Sequence, residues 1–200
     1  MEKPAATEFP IHELLARRWS PRAFAERPVE REKLLALFEA ARWAPSCYGD
    51  EPWSYIVARK QDDGEAYERL LGCLVEGNRV WAQAAPVLAL SVARAAFARN
   101  GQPNPHAWHD VGAASMSLCV EATALGLFVH QMAGFDAAQA RAQFGIPQGF
   151  DPVAALAIGY PGETQSLPEK LRQREMAPRL RKPVAEFLFT SGWGQRATVL

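Results

Sequence analysis

Two dense groups of cations stand out in the chain. Arg17-Arg18-Trp19-Ser20-Pro21-Arg22 lies near the N-terminus, and Lys170, Arg172, Arg174, Arg179, Arg181 and Lys182 crowd one stretch near the other end, with Glu175 as the acid among them. A guanidinium presents a fixed fork of donors that matches phosphate oxygens, and a hydroxyl such as that of Ser20 adds a neutral donor. Brought together, these groups would hold a phosphate monoester. The competing reading is a pair of solvated faces, or pairs with Glu13, Glu26 and Glu169, each contributing little.

Other residue types invite other chemistry. His106-x-x-His109-Asp110 has a spacing that could serve a metal on a helix, but no third ligand cluster accompanies it, which favours ordinary helix-start or loop histidines. Cys47 follows a helical segment in a loop, either as a reactive thiol or as a small residue packed against a ligand, and the second is preferred. Trp19, Trp43, Trp53, Trp81 and Trp108 are five of six tryptophans, more in keeping with core or interface anchors than with ligand stacking. Trp108, with His106, is the candidate for touching a substrate.

The whole chain narrows the partners. Lys plus Arg number 22 and Asp plus Glu number 22, so the global positive field of a dedicated nucleic-acid binder is missing. Neither cluster sits with an aromatic platform on a recognisable RNA module. The 200 residues, 48% hydrophobic and 22% charged, suffice for a packed globular core. Cys47, Cys73 and Cys119 are too few and too far apart for a disulfide framework or a paired Cys-x-x-Cys site. The opening MEKPAATEFP has no apolar stretch of the signal-peptide kind, and the longest weakly charged run, from Val111 to Phe135, contains Glu121 and His130. No membrane partner and a cytoplasmic location are expected.

The elements that would position these residues follow from periodicity. Leu34, Leu37, Phe38 and Ala41 predict an amphipathic helix within 30–44, stopped by Pro45. Trp53 to Ala58, Val87 to Val92, Leu127 to Met132 and Val153 to Gly159 predict four strands. Tyr67, Leu70, Leu71 and Leu74 predict a helix capped by Asp62 or Asp63. Ala107 to Leu125 predicts a long helix rich in small residues and ended by Gly126. Asp136 with Gln139 marks the start of a helix carrying Ala140 and Phe144, and Asn100 to Pro105 is a turn-rich loop that could act as a lid. The expected architecture is α+β, one domain over residues 1–200, with a core of about 10–160 and a C-terminal arm of about 161–200. That arm holds too little apolar sequence for a core of its own and should wrap onto something else, such as a second subunit.

Taken in order, several short elements resemble the flavin-dependent nitroreductase family, over nearly the whole chain from about His12 to Gly194. They are Arg18-x-Ser20-x-Arg22-x-Phe24; the loop from Ala44 to Trp53; Asn78 with Trp81, Ala85 and Pro86; Gly126-Leu127 through Gly134-Phe135-Asp136; Ile158-Gly159-Tyr160-Pro161; Arg179-x-Arg181-Lys182-Pro183; and Gly192-Trp193-Gly194. Each is weak alone, and their series is what carries the likeness.

The resemblance implies a nitroreductase-like three-layer sandwich, a mixed or antiparallel sheet flanked by helices, whose C-terminal arm extends to the partner subunit. It implies a homodimer with FMN at the subunit interface, NADH or NADPH as donor and a small-molecule acceptor such as a nitroaromatic or quinone. It assigns Arg18, Ser20, Arg179 and Arg181 to the phosphate and ribityl end and Arg22 to the flavin ring edge. Pro45, Ser46 and Cys47 would pack on the ring from the other subunit, and the backbone amide near Gly134 would face flavin N5. Trp19, Gly49 and Gln131 complete the expected cofactor-binding set. The cofactor would carry the hydride chemistry, so no side chain is named as catalytic, and no metal is expected. Alternatives from other classes are a flavin-binding protein with little turnover and a phosphate-ligand or RNA-binding module.

Three positions depart from the family pattern. Gly49 stands where the family loop usually has Asn, and Glu51 where it usually has Gln before Pro-Trp. Glycine leaves only a backbone contact there. Ala133 stands where some relatives carry Glu, which should relax charge discrimination beside the flavin.

Overall fold

The computed structural model describes residues 2–196. All four predicted strands form: β1 (Trp53–Arg59), β2 (Val87–Arg94), β3 (Phe128–Met132) and β4 (Phe150–Gly159). They make one sheet in the order β1-β2-β4-β3, with every neighbouring pair antiparallel, so of the two sheet types expected the antiparallel one is present. β4 starts three residues earlier than the apolar run implied and passes through Pro152. A strand tolerates proline at a bulge or an unpaired edge. Both conditions hold: the β2–β4 register shifts between Ser91 and Val92, and β3 pairs with β4 only as far as Ala155.

Seven α-helices surround the sheet among the described residues: α1 (Glu13–Arg17), α2 (Arg31–Arg42), α3 (Gly64–Gly72), α4 (Glu76–Ala82), α5 (Ala107–Ala124), α6 (Ala137–Phe144) and α7 (Glu169–Met176). Alternation along the strands divides the core into two layers. Val87, Ala89, Leu156 and Ile158 face α2 and α5, while Leu88, Leu90, Ala155 and Ala157 face the cluster holding Tyr67, Leu70 and Trp81. The small residues Ala114, Cys119 and Ala122 of α5 are buried in the first layer with Leu34, Leu37 and Ala41 of α2. Of the two candidate caps for α3, Asp63 accepts the N–H of Ala66 at 2.9 Å, whereas Asp62 pairs with Arg59. Asp136 caps α6 through the N–H of Gln139, and Gly126, at φ +75°, ends α5 in the left-handed region as expected.

Two helices correct the sequence reading. α4 buries only Trp81 and Ala82, and α7 buries only Glu175, so neither shows the apolar spacing that announces a helix. The segment expected as an extended arm therefore opens with α7. It lies on the chain's own N-terminal segment: the Lys3 ammonium donates to the Glu175 carbonyl, Arg179 donates to the Lys3 and Ala16 carbonyls at 2.8 Å each, and the Val184 N–H donates to Glu8 at 3.1 Å. No helix among the described residues is long and apolar enough to cross a membrane.

Candidate functional site

The short α1 ends at Arg18, whose N–H bonds to the Leu14 carbonyl and whose guanidinium therefore leaves the helix end at a fixed point. Its Nη1 donates to Ser20 Oγ at 3.2 Å. Burial lowers the Arg18 pKa, and the nearby charge of Arg181 lowers it further. Burial likewise lowers that of Arg179, with Arg18 and Arg181 adding to the effect. The two ends of the chain thus bring three guanidinium groups into mutual repulsion. Among the described residues none of the three has a carboxylate within salt-bridge distance.

Arg22 sits beside them in a different environment. Its N–H donates to Glu175 Oε1 at 2.7 Å, and its Nη1 lies 3.6 Å from Glu175 Oε2. Beneath this segment His130 of β3 donates from Nδ1 to the Pro21 carbonyl at 2.8 Å, and its ring packs on Trp81 with centroids 4.5 Å apart. Burial brings the His130 pKa down to about 4, the hydrogen bond to Pro21 opposing it and Arg22 and Arg18 reinforcing it. The imidazole is therefore neutral at pH 7 and adds no charge to an already cationic place.

Gln131, next along β3, is exposed and donates to Cys119 Sγ at 3.4 Å. Burial raises the Cys119 pKa, offset in part by Gln131 and by Arg18, so the thiol stays protonated beside that guanidinium. Trp19 is 6% exposed, edge-on to Phe128 and under the Lys3 ammonium. What Trp19 offers a ligand is main chain.

Gly134 follows β3 in a tight contact with α4. A Cβ there would lie 2.6 Å from Asn78 Nδ2 and 2.9 Å from Val75 Cγ2, so any side chain would have to displace Asn78 and Val75. Its carbonyl accepts from the Val75 N–H at 3.1 Å and from Asn78 Nδ2 at 3.0 Å. Its own N–H meets no acceptor among the described residues and is free to face a ligand.

The loop 45–50 is built elsewhere. Cys47 N–H donates to Asp110 Oδ2 on α5 at 3.0 Å, and the Glu51 N–H donates to Ser46 Oγ at 3.0 Å. Tyr48, Gly49 and Glu51 take positive φ of 57°, 65° and 47°, so the loop is a run of tight turns. Asp50 fastens it: its carboxylate accepts from Arg94 at 3.0 Å, from the Ala98 N–H at 2.9 Å and from Asn104 at 3.4 Å. Burial would raise the Asp50 pKa, but these donors outweigh it and leave the carboxylate below its ordinary value. Pro45 and Gly49 are exposed, and Ser46 and Cys47 are partly so. From Asp110 to Cys119 is nine residues of α5, about 13 Å along the helix, which separates this loop from the arginines within one chain.

Of the residues expected at the cofactor, the structure places Arg18, Ser20, Arg179 and Arg181 near one another with Arg22 beside them, while the holding contacts made by His130, Asn78 and Glu175 were not read from the sequence. Nor were those of Asp50 and Asp110 behind the loop. The available signals were Glu175 alone among six cations and Asp110 in the first turn of a helix. His106, His109 and Asp110 do not meet as a metal site, and among the described residues no group of three His, Cys, Asp or Glu does. Asp110 accepts the Cys47 N–H and the ring of His109 instead. An open cavity of about 510 Å³ lies beside the loop, lined by residues including Cys47, Tyr48, Phe97, Arg99 and His106.

Comparison with known proteins adds to this geometry. The model of the nitroreductase family matches residues 15–160. A solved structure of an oxidoreductase containing FMN is 34% identical, covers 96% of both chains and superposes with a TM-score of 0.89. A 15.4 kDa uncharacterized protein of Mycolicibacterium smegmatis is 36% identical over 130 residues, 65% of this chain and 86% of its own. A Streptomyces coelicolor protein provisionally named an NADH dehydrogenase/NAD(P)H nitroreductase is 28% identical over 158 residues, 70% of this chain and 77% of its own.

Proposed function

Because the chain belongs to the nitroreductase family, and is on that ground an oxidoreductase, we propose that it works through FMN, taking two electrons from NADH or NADPH and passing them to a nitroaromatic, a quinone or a similar acceptor. The observation that carries this reading is that Arg179 reaches back to the Ala16 carbonyl beside Arg18, with Arg181 close enough to repel both, while among the described residues no carboxylate pairs with any of the three. A phosphate would relieve their repulsion and accept charge-assisted hydrogen bonds from them. The residues present fit the phosphate end of FMN, and the free N–H of Gly134 fits a donor to a flavin ring atom.

When bound, FMN would supply the hydride acceptor and donor. The chain supplies place and charge. Arg18, Ser20, Arg179 and Arg181 hold the phosphate; Arg22 brings a cation to the ring; Asn78 and Val75 hold the Gly134 loop through its carbonyl, which leaves its N–H available to the ring without reorganisation. His130 fixes the Pro21 carbonyl and so the reach of Arg22.

The loop 45–49 serves the site of a second copy in this reading, which accounts for its distance from the arginines of its own chain. Exposed apolar side chains on α2 and α5, and just beyond α2, support a homodimer: Leu35 is 53% exposed, Trp43 75%, Trp108 55% and Met116 38%. The C-terminal arm would complete that interface. A cytoplasmic location belongs to the same proposal, with Cys47, Cys73 and Cys119 as free thiols.

The test is the colour of the purified protein. Yellow protein that is bleached by NADH or NADPH without air, and regains colour with a nitroaromatic, is the expected result. Yellow protein that neither donor bleaches would indicate a flavin binder with little turnover, as the loss of the Asn side chain at Gly49 would permit. Failure to take up FMN would overturn the proposal.

A further inference from the structure

Glu175 is 1% exposed, and its carboxylate is only half used. Oε1 accepts the N–H groups of Arg22 at 2.7 Å and Ala23 at 3.1 Å, while Oε2 has no hydrogen-bond partner among the described residues and lies 3.6 Å from Arg22 Nη1. A clamp for two backbone N–H groups needs one acceptor, which a neutral amide would supply equally well. A buried ionised carboxylate with an unfilled oxygen is costly unless a cation balances it. The cations that face it are Arg22 and Lys3, and the Lys3 ammonium is engaged by the Glu175 carbonyl.

Arg22 therefore differs from its three neighbours, since among the described residues it alone of the four carries a counter-charge. We infer that Glu175 is a positioning residue that holds Arg22 at the flavin ring and partly neutralises it, and so sets how strongly the protein favours reduced over oxidised FMN. This rests on the cofactor reading above and deepens it. A bare guanidinium at the ring edge attracts the extra negative charge of the reduced cofactor, and a carboxylate behind it weakens that attraction. Oε1 meanwhile fixes the backbone from which the Arg22 side chain springs.

The experiment is a dye-equilibrated spectroscopic redox titration of the FMN-loaded protein and its variants. Glu175→Gln keeps an acceptor for the two N–H groups and removes the charge. It should raise the preference for reduced over oxidised FMN about tenfold, a shift of about 30 mV for a two-electron couple. Glu175→Asp, which keeps the charge, should stay near the wild-type value, and with Arg22→Gln present Glu175→Gln should shift the preference clearly less, because the part that works through the placement of Arg22 is gone. An unchanged potential in Glu175→Gln, or an equal shift with and without Arg22, overturns the inference. Should Glu175→Gln not fold, Arg22→Gln alone must shift the preference about tenfold toward oxidised FMN, and no shift overturns the inference. Wild-type protein that takes up no FMN fails earlier and removes the cofactor reading itself.

Discussion

The arginine end and the 45–50 loop are both built from charged residues, and they treat charge in opposite ways. In the loop every buried charge is answered: Asp50 has Arg94, two further donors and a place in the packing, and Asp110 has the Cys47 N–H. At the arginine end Arg18, Arg179 and Arg181 repel one another and, among the described residues, are answered only by neutral oxygens, those of Ser20, Lys3, Ala16 and Leu180. A saturated loop presents shape to whatever lies on it. An unsaturated cluster presents affinity for an anion, and its charge is held in place by carbonyls that do not cancel it.

Breaking the loop should give the largest effect on the fold. Asp50→Ala leaves Arg94 partly buried without its partner, and removing one side of such a pair typically costs about 3–5 kcal/mol. Thermal unfolding of the apo protein should fall by several degrees, while affinity for inorganic phosphate at the arginine end stays as it was. An unchanged melting temperature would mean that the loop does not depend on its anchor.

Acid should separate the two regions next. The His130 pKa is depressed to about 4 from an ordinary 6.5, so the unfolded chain takes up that proton first as pH falls. Stability from the neutral ring is complete above pH 6.5 and is lost progressively down to pH 4, by roughly 3 kcal/mol. Asp50 is lowered too, so its share is complete down to the ordinary aspartate range and is lost only as pH falls below it. Hydrogen exchange at pH 5 should speed up around Pro21, Arg22 and β3 while the amides of Cys47 and Ala98 keep their protection. Equal loosening of both regions would contradict the assignment.

This contrast also explains how far the sequence could be read. The strands were legible because burial on both faces leaves continuous apolar runs such as Val87 to Val92, and α5 because its small residues and Gly126 mark its packing and its end. α4 and α7 were not, because one or two buried residues per helix leave no period to detect. Among site residues the cations were conspicuous, but which of them lack a counter-charge is a matter of tertiary distance. Arg94 and Arg18 look alike in the sequence, yet one is paired with Asp50 and the other faces Arg181. In the sequence Glu175 is one acid in a basic stretch, and only the fold carries it back to Arg22.

Arg18→Ala should have the smallest effect on the fold and the most selective one on the ligand. If Arg18 holds the phosphate as proposed, the change removes a charge-assisted contact whose loss commonly costs about 1.5–3 kcal/mol, roughly a tenfold to hundredfold rise in the Kd for FMN by fluorescence titration. In the free protein the same change relieves repulsion with Arg181 and Arg179 and, among the described residues, breaks one side-chain hydrogen bond, that to Ser20. The apo melting temperature should therefore hold or rise, the reverse of Asp50→Ala, which loses fold and keeps phosphate. Two variants of charged residues with opposite signatures would establish that one region is organised for the chain and the other for its ligand. If instead both variants lower the melting temperature and weaken FMN together, the cations near Arg18 are structural after all, and their lack of carboxylate partners has no bearing on what the protein binds.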